Sequence, residues 1–294
     1  MATGSSEMAR PSFIRQPGPA QSPRVLAVEG RGRAFPMRLE AGLSLLEAVR
    51  QGFAAAGFAS GTLNFGPLAL SPFAYVMPAL SRDGQNAAFY SETFRPSGIS
   101  RLECGALTFG RRDGGPFFHC HAIWREADGK RSGGHILPDE TILAEDATVP
   151  AFGIDGALFE ANPDPETNFK LFGPVSSATR TTDGALAFAL RLRPNQCFHA
   201  ALEGFCREQG LARAVIHGGV GSLIGSAFED GRVTEPFATE VCITRGLVEP
   251  DADGVLRARI DAALVDLTGD LAEGRLKRGA NPVLMTFELI LAEA

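Results

Sequence analysis

Three of the five histidines in this 294-residue chain fall within one short stretch. They are His119, His121 and His135, in PFFHCHAIWREADGKRSGGHIL. Residues two apart along an extended chain share one face of a strand. His119, His121 and Ile123 therefore point one way. Phe118, Cys120, Ala122 and Trp124 point the other way, toward a core. Two neutral imidazoles on one face can share a metal ion, and catalytic zinc sites commonly use three protein ligands and leave a position open. His135 is the candidate third ligand. Such a centre would polarise a carbonyl, activate water or hold a small carboxylate. The competing reading is a polar sheet face carrying hydrogen-bonded histidines. The H-x-H followed by Gly-Gly-His on a return strand favours the site.

The turn decides where His135 points. A two-residue turn at Asp128-Gly129 sets it opposite Ala122, on the wrong face. A three-residue Ala-Asp-Gly loop with Gly129 left-handed sets it opposite His121. Gly133-Gly134 can also supply a bulge, and the sequence leaves the register open. Glu103, in an apolar strand, is a candidate catalytic residue. It would orient a histidine or act as general acid or base, or it is an edge-strand or interface charge; its counterpart Glu240 also sits in an apolar strand. Cys120 alternates away from the histidines. Glu126, Asp128 and Asp139 read as solvated, and His199 and His217 as structural. GGVGS (218–222) lacks the Lys-Ser/Thr of a phosphate loop and reads as a sheet turn.

These residues need a scaffold, and the scaffold is written twice. Residues 39–70 lie without gaps over 192–223, and 122–137 lie over 262–277. Leu39 meets Leu192, Gly57 meets Gly210 and Gly134 meets Gly274. The order strand, helix, Gly-rich turn, strands, Gly-hinged hairpin recurs, which points to a tandem duplication with a boundary near Pro174–Ser177. The apolar spacing of Leu43, Leu46, Val49, Phe53 and Ala56 is helical, with Gly57 as its stop. Turn signals such as SRDGQ, RRDGG and PDADG bound strands elsewhere. The expected class is α+β: two domains, each a mostly antiparallel sheet with a packed helix. The expected partition is a disordered tail over 1–22, a first domain over 23–175 and a second over 176–294. In the second copy the three histidine positions hold Arg259, Asp261 and Arg275. That set cannot reproduce a three-imidazole site but could bind an anion or complete a neighbouring chain's site.

Composition sets the outer bounds. Hydrophobic residues make up 45% and charged residues 21%, with a net charge of -6. That balance argues against a protein whose main task is coating nucleic acid. Five scattered cysteines without a C-x-x-C pair suggest thiols in a reducing compartment. The N-terminal residues lack the apolar stretch of a secretory signal, so a cytoplasmic location is expected. Residues 53–80 carry no charge, but their prolines and glycines suit buried sheet and turns better than a membrane span.

HCHAIWREADGKRSGGHIL resembles the signature of the PPC (plants and prokaryotes conserved) domain, H-x-H with D-G-x-x-x-G-G-H-L, here with Ile136 in the last place. SRLECGALTFG around Glu103 and NPDPETNFKLFGP (162–174) are similar to other parts of that family. GGVGSL, TEVCITRG and VDLTGDLAEGRL make the second half PPC-like in order, without the histidines. The resemblance covers roughly residues 25–294 as two copies. It implies a mostly antiparallel sheet with a packed helix, trimeric assembly, and a fold similar to that of acetolactate decarboxylase, whose zinc is held by histidines. It implies two functional readings. One is a tandem PPC protein with a zinc or small-ligand site at His119, His121 and His135. The other is a DNA-binding architectural protein, as for family members joined to AT-hooks. Arg31-Gly32-Arg33-Ala34 lacks the proline that an AT-hook needs, and reads as solvated strand charge.

Overall fold

The computed structural model describes residues 10–178 and 184–294. In the first half lie β1 (Val25–Leu39), α1 (Leu45–Ala55), β2 (Ser60–Phe65), β3 (Leu68–Leu70), β4 (Tyr75–Val76), β5 (Pro78–Ala79) and β6 (Phe89–Tyr90). They are followed by β7 (Ser100–Arg112), β8 (Gly115–Arg125), β9 (Arg131–Ile136), β10 (Ala147–Asp155), β11 (Ala157–Asp164) and β12 (Phe169–Ser176). The second half holds β13 (Ala185–Leu192), α2 (Phe198–Glu208), β14 (Ala214–Ala227), β15 (Val233–Pro250), β16 (Leu256–Asp266), β17 (Leu271–Arg275) and β18 (Val283–Glu293).

The same strand order occurs twice. One half runs β1-β10-β2-β7-β8-β9 and the other β13-β18-β14-β15-β16-β17. β1 and β13 pair antiparallel, Val25 opposite Leu192, and join the two halves into a single curled sheet. The α+β expectation is overturned. Strands take 57% of the residues and helices 9%, so the protein is mostly β. The physical reason is one of area. Each half has a single helix of 11 residues, and one short helix cannot cover a sheet of six or more strands. Much of the apolar sheet surface is covered by the other half instead. Ala106 and Ile123 of the first half pack with Val220, Cys242 and Ala263 of the second.

The helices follow their sequence signals. Ser44 Oγ accepts from the Glu47 amide at 3.1 Å, which caps α1. Leu45, Ala48, Val49 and Phe53 face the first core. Gly57 at φ +86° ends the helix, where a β-carbon would be strained. Gly210 at φ +68° does the same after α2.

The halves are also tied by charge. Asp164, buried at the end of β11, meets Arg191 at 2.8 Å and Arg193 at 2.7 Å. Its other oxygen accepts from the amides of Glu166 and Thr167. Glu166 in turn holds Arg24 through two bonds of 2.7 and 2.9 Å. This is the NPDPETN stretch, used here as a clamp. Asp164 stays below the ordinary carboxylate range: burial opposes its charge, but Arg191 and the hydrogen bonds outweigh it.

The expected disordered tail falls partly outside the described residues, at 1–9. From residue 10 the chain lies against the second half, with Gln16 Nε2 donating to Leu284 O at 2.8 Å and Ile14 N to Asn195 Oδ1 at 2.9 Å. No helix among the described residues is long and apolar enough to cross a membrane.

Candidate metal centre

The β8–β9 hairpin sets the geometry. Glu126 N bonds Lys130 O at 2.8 Å across a loop of Ala127, Asp128 and Gly129, with Gly129 at φ +89°. That is the three-residue loop, and it puts His135 opposite His121. The Gly-Gly before His135 answers a space requirement. A β-carbon on Gly134 would come within 2.5 Å of Val76 O on β4.

The three imidazoles converge. His119 Nε2 lies 3.0 Å from His121 Nε2, which lies 3.3 Å from His135 Nδ1. Glu240 of β15 adds an oxygen 2.6 Å from His121 Nε2. All four ligand atoms lie within 4.8 Å of one another, so the group could hold a metal ion. It is the one such cluster found among the described residues.

Surrounding bonds fix which nitrogens are free. His119 Nδ1 lies 2.7 Å from Glu288 Oε2, and His121 Nδ1 lies 3.1 Å from the Val241 carbonyl. A carboxylate and a carbonyl accept, so both Nδ1 atoms donate. In the neutral rings both Nε2 atoms are then lone pairs, 3.0 Å apart and beside the Glu240 carboxylate. Acceptors gathered this closely repel one another unless a proton or a metal cation lies among them. Histidine ligands whose second nitrogen donates to a carboxylate or carbonyl are the usual pattern around bound metals.

Electrostatics treats the two outer rings differently. Burial lowers the affinity of His119 for a proton, yet Glu288 and then Glu240 outweigh it, and its pKa lies above the ordinary value. His135 falls well below it, through burial first and then repulsion from His119 and His121. His135 is thus neutral at pH 7, as a ligand must be.

Some candidate residues are elsewhere. Glu103 does not join the cluster. A bulge between Leu102 and Cys104 turns it to the surface, where it pairs with Arg125 at 3.0 Å and Arg131 at 2.5 Å. Arg275 binds Asp261 at 2.9 Å, and Arg259 reaches Glu249 at 3.3 Å. These three do not approach the histidines of their own chain as ligands. Cys120 is buried away from the cluster, and all five cysteines are free thiols. His217 stacks on Phe152, with ring centroids 4.0 Å apart, and His199 is buried in α2. GGVGS lies inside β14 at an irregular register, not at a helix start. Arg31, Gly32 and Arg33 lie in β1, bonded to β10 on one side, with Arg31 and Gly32 also paired to β13 on the other. A strand held this way cannot slip into a DNA minor groove as an extended hook does.

Glu288 was not singled out by sequence reasoning, and Glu240 was read only as the twin of Glu103. The available signal was a lone acid in an otherwise apolar strand. Glu288 interrupts VLMTFELILA and is fully buried. An acid so placed needs a partner.

The solved structures offer a likeness over one copy. A PPC protein of Pyrococcus horikoshii is 19% identical, covering 51% of this chain and 96% of its own, with a TM-score of 0.39. Half of this chain is similar to a PPC protein. A metal-containing protein of Archaeoglobus fulgidus is 18% identical over 49% of this chain and 94% of its own, TM-score 0.39. A Ralstonia eutropha JMP134 protein proposed to bind DNA is 16% identical over 47% of this chain and 89% of its own, TM-score 0.33. No protein-family model and no curated protein matches the chain.

Proposed function

We propose that the chain binds one divalent metal ion, zinc, through His119, His121, His135 and Glu240. Glu288 and the Val241 carbonyl orient two of the imidazoles. The observation that carries this reading is the convergence of His119, His121, His135 and Glu240 ligand atoms within 4.8 Å of one another. The donor set of three nitrogens and one oxygen suits zinc. Ligands about 2 Å from a tetrahedral centre stand roughly 3.3 Å apart, close to the two His–His separations of 3.0 and 3.3 Å. The bound ion supplies Lewis acidity toward a carbonyl or water. The chain's own residues hold His135 neutral and aim His119 and His121. The same reading takes 23–175 and 176–294 as two PPC-like copies that self-associate in threes, and a monomer by light scattering would remove the assembly clause.

Elemental analysis tests the site, on protein made without an affinity tag or chelator. About one metal per chain is expected, and none in His119→Ala/His121→Ala. Adding zinc at a thousand times its dissociation constant should stabilise the wild type by about 4 kcal/mol and leave the variant unmoved. Wild-type protein that carries no metal and ignores added zinc ends the proposal.

A further inference from the structure

Beside the cluster opens a wide cleft. His119, His135 and Glu288 stand on one wall, and the rings of Tyr90, Phe117 and Phe172 form much of the rest. Arg112 lines the same cleft. Its backbone is held where β7 ends, by parallel pairing to Ala161 on β11 and by the turn at Asp113 and Gly114, both with positive φ. Its guanidinium carbon lies 5.0 Å from the Phe117 ring centroid, a flat cation resting on an aromatic face.

That cation lacks a matched anion. Asp113 comes only to 3.9 Å, beyond hydrogen-bond distance, and is itself bonded to Lys170 at 2.5 Å. No acceptor among the described residues meets the Arg112 fork. Arg112, 45% exposed at its side chain, lines the cleft together with His119, His135 and Tyr90. The Tyr90 hydroxyl lines the same cleft and makes no hydrogen bond among the described residues.

We propose that this cleft binds a small carboxylic acid with an apolar, ring-sized body. Its carboxylate is forked onto Arg112, and its body lies along the aromatic wall toward His119 and His135. The inference rests on the metal reading above. A guanidinium matches a carboxylate in a two-bond fork that no other side chain reproduces. The aromatic walls take the body of the molecule. A phosphate would also suit Arg112 and Lys170, but Glu288, Asp139 and Glu140 outnumber those cations along the cleft and disfavour a dianion more than a single charge.

Calorimetry on the metal-loaded full chain tests this, with phenylpyruvate, benzoate and hexanoate as probes beside phenyl phosphate and benzyl alcohol. Metal content is measured on each sample. At least one acid should bind at millimolar concentration or below. Arg112→Gln should weaken it about tenfold or more, with metal content and thermal unfolding unchanged, and Arg112→Lys should recover part of the loss. Metal-loaded protein that ignores all three acids, or an Arg112→Gln variant that binds them as well as wild type does, overturns this inference alone. Tighter binding of phenyl phosphate overturns the choice of a carboxylate. Wild-type protein without metal overturns both this and the metal reading.

Discussion

The two hairpins of this chain, β8–β9 and β16–β17, share a frame and differ in contents. His121 stands opposite His135 and Ala122 opposite Gly134 in the first. Asp261 stands opposite Arg275 and Ala262 opposite Gly274 in the second. The backbone repeats even in detail, with Gly134 at φ +158° and Gly274 at φ +153°. What differs is what faces them. The first hairpin lies under Glu240 and Glu288 of the other half, and His121 is 2% exposed. In the second, the Asp261 and Arg275 side chains are 29% and 41% exposed and bind each other. A duplicated frame becomes a candidate site only where the other copy supplies buried carboxylates. The pair Arg275–Asp261 needs nothing across from it, because water solvates what the two charges do not.

The comparison depends on the clamp that keeps the halves in register, and breaking it should have the largest effect. Asp164→Asn leaves Arg191 and Arg193 buried without their counter-charge. A stability loss of about 3–5 kcal/mol is expected by denaturant unfolding. A loss under about 1 kcal/mol would show that the halves do not need this carboxylate. Next comes the carboxylate that orients His119. Glu288→Gln should lower metal affinity about 10- to 100-fold without removing a ligand. Unchanged affinity would mean that Glu288 plays no part in aiming the ring.

The five histidines offer a second contrast. His199 and His217 are each held at a pKa of about 4, below the ordinary histidine value, burial being the main cause. Their unfolded forms take up protons first as pH falls. Stability is therefore full above pH ~6.5 and declines toward pH ~4, by up to about 1.4 kcal/mol per pH unit for each histidine. His217→Phe should flatten that decline, as measured by unfolding midpoints across the range. An unchanged slope would remove His217 from the account.

Much of the candidate site was legible because a strand's two-residue period fixes which side chains share a face. H-x-H in an extended segment left no freedom for His119 and His121. The register that aims His135 needed the Gly129 loop, which the sequence offered as one of two choices. The second-half ligand was harder. Glu240 and Glu288 lie far from the histidines in sequence, and nothing local says which parts of the curled sheet will face each other. The helix was read well as a helix and badly as a guide to class. Its pattern of Leu45, Val49 and Phe53 is strong, whereas long strands such as β14 and β15, buried over most of their length, lack the clean alternation that marks a half-exposed strand.

The smallest expected effect sharpens the contrast between the hairpins. Asp261→Asn removes the partner of Arg275 in the frame that matches the histidine site. Both groups keep access to water, so the pair contributes well under 1 kcal/mol. The variant should unfold within about 0.5 kcal/mol of wild type and carry the same metal content. A large stability loss would show that the second hairpin relies on its ion pair for folding. A drop in metal content would be more informative. It would mean that the Arg259, Asp261 and Arg275 face reaches a histidine site, through a neighbouring chain, and that the two copies are coupled across an assembly and not only within one sheet.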